Sequence, residues 1–327
     1  MNTTVWNRAG RSAVALLAFA LGAFAPRPAQ AQFVFNSVYS FFGADGQDPQ
    51  SNLFQASDGN LYGTTVFGGN GIGTVYRISL DGAEDVIHLF GSITQDGNSP
   101  NAVIQASDGN IYGTTLTGGT SNKGIAFKIG LDGAYTKIHD FGSVTGDAVE
   151  PENHTALVEA GGVLYGVASS STSGGQGTFY GMTLGGGTVV VHHTFTGGSS
   201  DGSAPSGTPI LASDGNIYGA AALGGPSGAG VIYKLTGAST FNTESILYAF
   251  KGGSSDGQLP SVLIQASDGN LYGITDEGGS GNNGTVFKLT LSGTETVLHT
   301  FAGGTSDGSL PESLVQGADG NLYGVCR

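Results

Sequence analysis

The residues able to do acid–base or metal chemistry are few. The chain of 327 residues holds 6 His, 1 Cys and 25 Asp or Glu. Four of the histidines share one slot: His88, His139, His193 and His299 stand two residues before Phe90, Phe141, Phe195 and Phe301. Tyr39 and Tyr248 fill the same slot before Phe41 and Phe250. Imidazole near neutral pH is both a base and a metal ligand. Equal slots in successive copies of a repeat lie apart in space, however, so these histidines are not expected to meet around one ion. Tyr at two of the slots points to packing. His192 and His193 are neighbours on a strand, and their side chains therefore face opposite ways.

The acids invite a calcium or general-acid reading. Twelve of them are the Asp of an Asp-Gly pair, at 45, 58, 81, 96, 108, 132, 201, 214, 256, 268, 307 and 319. Asp-Gly is a preferred tight turn, because Gly accepts positive φ and Asp bonds the nearby backbone. Hairpin chemistry thus accounts for about half of the acidity. No window has the alternating oxygen ligands and distal Glu of an EF-hand loop. Cys326 is the only cysteine, which rules out an intrachain disulfide and a thiolate zinc site. The glycine run Gly68 to Gly73 lacks the following helix that a phosphate cradle needs. No nucleophile elbow or His-Glu-x-x-His motif occurs. No catalytic residue, no cofactor and no metal site is therefore expected. The informative positions are departures from the repeat: Asp147, Glu150, Glu152 and His154 in one connector, and Asp276 and Glu277 in one loop. These six are the candidates for a cation or polar-ligand contact, against the plainer reading of solvated acidic loops.

The elements that must carry these residues are strands. Glycine makes up 59 of the 327 residues, which excludes long helices, and it does not fall at every third position as collagen requires. Asp58-Gly59-Asn60-Leu61-Tyr62-Gly63 returns at 108–113, 214–219, 268–273 and 319–324, with a weaker copy at 161–166. Between copies, apolar residues alternate with polar ones in runs bounded by turn residues, the hairpin signature. The fold class read from this is all-β: a β-propeller of four-stranded antiparallel blades, with a β-solenoid as runner-up. Five complete repeats fall at about 53–90, 103–141, 157–195, 210–250 and 263–301, and a partial sixth at 314–325. Residues 33–42 resemble a lone fourth strand and are expected to close the sixth blade. The tyrosines 62, 112, 165, 218, 272 and 323 share a second-strand slot and are expected in the core.

The units Asp268 to Gly273, Gly284 to Leu289 and Thr296 to Phe301 resemble the Gloeo/Verruco (GloVer) tandem repeat of exported bacterial proteins. The turn element also looks like the blade motif of propellers in bacterial two-component sensors, although no kinase segment accompanies it. The resemblance implies a propeller and a cell-surface or extracellular setting, and no known reaction. The N-terminus agrees: Arg8 and Arg11, an apolar run from Ser12 to Ala25, and Ala29-Gln30-Ala31 read as a signal peptide over 1–31, with the repeat domain at 32–327. The net charge is −14, and loss of Arg8, Arg11 and Arg27 would lower it further. Such a surface repels nucleic acid. The function expected is a binding or structural scaffold whose partner is an extracellular protein or polysaccharide. The alternative is a propeller enzyme, a polysaccharide lyase or hydrolase, with its site at the channel mouth.

Overall fold

The computed structural model describes residues 15–18, 37–237, 240–304 and 307–327. They form six antiparallel sheets met in chain order. Sheet one holds Phe54–Gln55, Leu61–Thr65, Thr74–Ile78 and Glu84–Leu89. Sheet two begins with a strand in two pieces, Gly97–Pro100 and Ile104–Gln105, followed by Ile111–Gly118, Ile125–Ile129 and Tyr135–Asp140. Sheet three repeats this with Ala148–Pro151, Val158–Ala160, Val163–Ser171, Thr178–Thr183 and Val190–Thr194. Sheet four is Gly202–Leu211, Ile217–Gly224, Val231–Thr236 and Thr243–Ala249. Sheet five is Gly257–Gln265, Leu271–Gly278, Thr285–Leu289 and Glu295–Thr300.

Each of these five sheets is a meander whose strands pair in sequence order. The five Asp-Gly-Asn elements are turns, as their composition predicts. In the first, Gly59 takes φ 85°, and the Asp58 carboxylate accepts from the Asn60 amide at 3.0 Å. The same carboxylate accepts from the Tyr62 hydroxyl at 2.9 Å, which fixes the ring that the second strand sends into the core. Tyr62, Tyr112, Tyr165 and Tyr218 are all buried. The glycine after this tyrosine is required by close approach: a Cβ at Gly113 would fall 2.5 Å from the Phe127 ring of the third strand.

First strands start earlier than the repeat pattern indicated. The Gly-x-x-Pro stretches, expected as loops, are extended and pair with the far end of the second strand. Within these stretches Ser99, Glu150, Ala204 and Leu259 take positive φ, and in sheets four and five the register shifts only beyond the proline, between Ser206 and Ile210 and between Pro260 and Val262. The proline that follows packs against the preceding sheet. At Gly124 (φ 93°), an added Cβ would lie 2.9 Å from Pro151 Cδ. First strands of successive sheets touch one another, as Gly202–Leu211 does Gly257–Gln265. These contacts set the sheets face to face, and four continuous apolar clusters fill the spaces between them.

The sixth sheet corrects the expected closure. Its strands are Pro311–Gln316, Leu322–Cys326 and Ala15–Ala18, the last from the segment read as a signal peptide. Residues 33–36 lie outside the described residues, and 37–42 do not join this sheet. Instead Phe41 packs on Tyr76 of sheet one, ring centroids 4.7 Å apart. The reason lies in the role of that phenylalanine. Phe90, Phe141, Phe195 and Phe250 each meet a third-strand ring of the following sheet, Phe127, Tyr180, Tyr233 and Phe287, at 5.0–5.4 Å. A fourth-strand segment serves the unit after it, and for residues 37–42 that unit is sheet one. Among the described residues the arrangement is six sheets in series and not a closed ring. Between sheets five and six, a cavity of about 350 Å³ is lined by Leu298, Phe301, Leu314 and Cys326.

Candidate functional site: the seams between sheets

The polar chemistry of the molecule is concentrated where one sheet meets the next. Each histidine of the shared slot points its Nε2 at an aspartate eight residues later. His88 meets Asp96 at 3.0 Å, His139 meets Asp147 at 3.0 Å, His193 meets Asp201 at 3.2 Å and His299 meets Asp307 at 2.9 Å. Tyr248 donates to Asp256 at 3.0 Å in the same way, and Tyr39 donates to Asp45. These aspartates are not in hairpins, contrary to the turn reading of Asp45, Asp96, Asp201, Asp256 and Asp307. Each one opens the next unit and caps the connector, accepting backbone N–H groups such as Gly91, Thr196 and Lys251 at 2.7–2.9 Å. The histidines are hydrogen-bonded partners and not merely packed rings. The signal missed in the sequence is the eight-residue offset shared by five of the six pairs (Tyr39 and Asp45 are six apart), hidden because the two residues belong to separate elements.

In five of the six seams a third residue stands four positions before the next His or Tyr. In the seam between sheets one and two it is Tyr135, which stacks on His88 with ring centroids 3.5 Å apart and donates to Asp96 at 2.8 Å. Burial works to raise the Asp96 carboxyl, but hydrogen bonds from His88 and Tyr135 outweigh it and hold the group below its ordinary value. In the next seam the position is Val189, which is buried. It is Glu84 against Tyr39 and Asp45, Glu244 against His193 and Asp201, and Glu295 against Tyr248 and Asp256. Burial, with the Asp201 charge, pushes Glu244 up to about 7. Burial, with the Asp256 charge, does the same to Glu295, to about 7. Oε1 of each of these three glutamates is buried without a hydrogen-bond partner.

The six residues singled out from sequence do not form one site. Asp147 is spent in its seam, accepting from His139 and from the Ser143 amide at 3.2 Å. Glu150 pairs with Lys123 at 2.7 Å. Glu152 is partly buried, which raises its carboxyl. His154 is exposed, its amide held by the Asn101 side chain at 3.0 Å. Asp276, on sheet five, accepts from Ser261 at 2.6 Å and is raised by burial, with Glu277 adding like charge. The Glu277 carbonyl accepts from Thr275 at 2.8 Å. Among the described residues, no hydrogen bond or ion pair joins the group on sheet three to the pair on sheet five. His192 turns away from His193, as expected, and lies against Tyr165 and Phe179.

This seam architecture, copied down the chain, coincides with a known sequence repeat: the Gloeobacter/Verrucomicrobia repeat matches residues 24–154 and 150–327. The chain belongs to the Gloeobacter/Verrucomicrobia repeat family. No curated protein matches it. Among solved structures, this repeat protein is similar to a gluconolactonase from Xanthomonas campestris, with TM-score 0.50 and 12% identity over 86% of this chain and 87% of that one. It is also similar to a catalytically inactive virginiamycin B lyase from Staphylococcus aureus, with TM-score 0.47 and 17% identity over 72% of this chain. The match spans 65% of the lyase. A nidogen/laminin complex chain gives TM-score 0.48 at 16% identity, over 76% and 79% of the two chains. At 12% identity the gluconolactonase likeness establishes a propeller-like fold and no activity.

Proposed function

We propose that this repeat protein is an exported binding or structural scaffold that works at the bacterial cell exterior. One observation carries the reading: the histidines and aspartates that a reaction centre would need are paired off, seam by seam, in like positions. A catalytic site requires unlike groups converging on one substrate atom. Here the repeated groups hold sheet to sheet. The arginines, apolar run and Ala29-Gln30-Ala31 of the N-terminus support export.

The contact face we assign is the side carrying the unit-to-unit connectors and the second-to-third-strand loops. The meander puts both sets on one side. Phe42, Phe67, Ile93, Val144, Leu223 and Leu310 are exposed there, Phe42 at 83%. Exposed apolar side chains on variable loops over a rigid scaffold are the usual makings of a contact surface.

Two measurements test this. Fractionation of the producing cell should place the protein outside the cytoplasm. The purified protein should be retained on a panel of immobilised polysaccharides and surface proteins, and Phe67→Ser with Ile93→Ser should weaken retention without altering the circular dichroism spectrum. New reducing ends or unsaturated products from a polysaccharide would overturn the scaffold reading in favour of a lyase or hydrolase.

A further inference from the structure

The seams of this chain obey a pairing habit, and one of them breaks it. Where the slot residue is Tyr, at 39 and 248, the third residue is Glu. Where it is His88 or His139, the third residue is Tyr135 or Val189, and no second acid faces the pair. The seam between sheets three and four alone combines His193, Asp201 and Glu244. One ligand atom from each lies within 4.8 Å of the other two.

We propose that His193, Asp201 and Glu244 form a binding site for a single divalent cation of the zinc class. Three observations converge on it. The first is the donor set: one imidazole nitrogen and two carboxylates are ligands that zinc accepts, at roughly 2.0–2.2 Å. Tetrahedral bonds of that length place neighbouring ligand atoms about 3.3 Å apart, and His193 Nε2 stands 3.2 Å from Asp201 Oδ1. The second is orientation. Asp201 is held by the Thr196 amide at 2.7 Å, the Thr196 hydroxyl at 2.9 Å and the Gly202 amide at 2.7 Å, while His193 lies edge-on to Phe195. Ligands fixed by such outer contacts lose little freedom on binding. The third is an unmet need: Glu244 Oε1 is buried with no partner, and no Lys or Arg pairs with either carboxylate among the described residues. The His193 side chain keeps 20% exposure, which leaves a fourth coordination position open to water.

Equal slots do stay apart, but a seam draws three unlike slots from two units. The proposal stands independently of the scaffold reading.

The test uses the whole protein, stripped with chelator and titrated with ZnCl2 by calorimetry, and separately with Co2+ followed by visible absorption. One equivalent is expected to bind saturably, with a tetrahedral Co2+ spectrum and a higher thermal midpoint. His193→Tyr and Glu244→Tyr rebuild this seam in the pattern of the Tyr248 and Tyr135 seams, so both should fold and both should lose the bound equivalent. His299→Tyr, in the separate seam between sheets five and six, should keep it. Absence of saturable binding, or binding that survives both substitutions, overturns the site and leaves His193 as the hydrogen-bonded partner of Asp201 alone.

Discussion

Replacing Asp96 by Ala should be among the most damaging single changes in the molecule, and the structure sets its size. The Asp96 side chain is 1% exposed, and His88 beside it 6%. The carboxylate accepts four hydrogen bonds, from His88, the Gly91 amide, the Gly97 amide and Tyr135, at 2.8–3.0 Å. Alanine leaves the imidazole and the phenol without their acceptor in a dry seam. A buried donor stripped of its partner costs about 1–3 kcal/mol, and breaking a buried pair costs about 3–5 kcal/mol. We therefore expect a loss of about 3–5 kcal/mol for Asp96→Ala. Asp307→Ala is the internal reference. Asp307 makes the same bond to His299 and accepts the Ala302 amide at 2.7 Å, but its side chain is 21% exposed and His299 31%, so water can replace it. Its loss should cost about 1 kcal/mol. Urea unfolding followed by tryptophan-independent far-ultraviolet dichroism measures both, with unchanged denaturant slope as the check on cooperativity. If Asp96→Ala costs no more than Asp307→Ala, the seams are not what joins the sheets and the reasoning fails.

Other outcomes follow from the same geometry. Glu295, raised to about 7 when folded, binds more protons in the native state than in the unfolded chain between its ordinary value and 7. Its contribution to stability is therefore full at acid pH and declines as pH rises to about 7; Glu295→Gln should remove that slope and stabilise the protein at pH 8, read as the unfolding midpoint against pH in chelator-treated samples. Gly124→Ala forces a side chain to φ 93° and against Pro151, and should cost about 1–3 kcal/mol or more in the same assay. N-terminal sequencing of the exported protein should begin at Gln32; recovery of Met1 would refute cleavage. With residues 15–18 removed, Leu322–Cys326 loses its pairing on one side, keeps Pro311–Gln316 on the other and becomes an edge strand, and its amides should exchange with solvent faster than those of Leu271–Gly278.

How much of this was legible in the sequence follows from the range of each interaction. The Asp58 turn was readable because its whole mechanism lies within six residues. Strand order was readable because a meander pairs neighbours. The Tyr112 ring was rightly placed in the core, since an aromatic recurs at that second-strand slot in every copy. His88 was read as packing, because its partners Asp96 and Tyr135 belong to the next unit, and single-unit reasoning stops at the unit boundary. The same limit misplaced residues 37–42. Tyr39 and Phe41 were correctly matched to the fourth-strand slot, but that slot acts on the unit that follows, and so they landed on sheet one. Among the candidate ligands, Asp147 was singled out as part of a connector that departs from the repeat, although it does the same work as Asp96. Glu244 passed unnoticed because it is ordinary in its own unit and unusual only across a seam.

The offset between a sheet and its bonding partners bears on how such a chain can be cut and rejoined. A fragment trimmed to the edges of one sheet would carry two half-built junctions, each with a buried carboxylate or imidazole and nothing to answer it. The portable module instead runs from one slot histidine to the next, from His139 to His193 for example, and crosses the visible sheet boundary. Duplications, deletions or grafts made in that frame would keep every junction whole, whatever the number of copies.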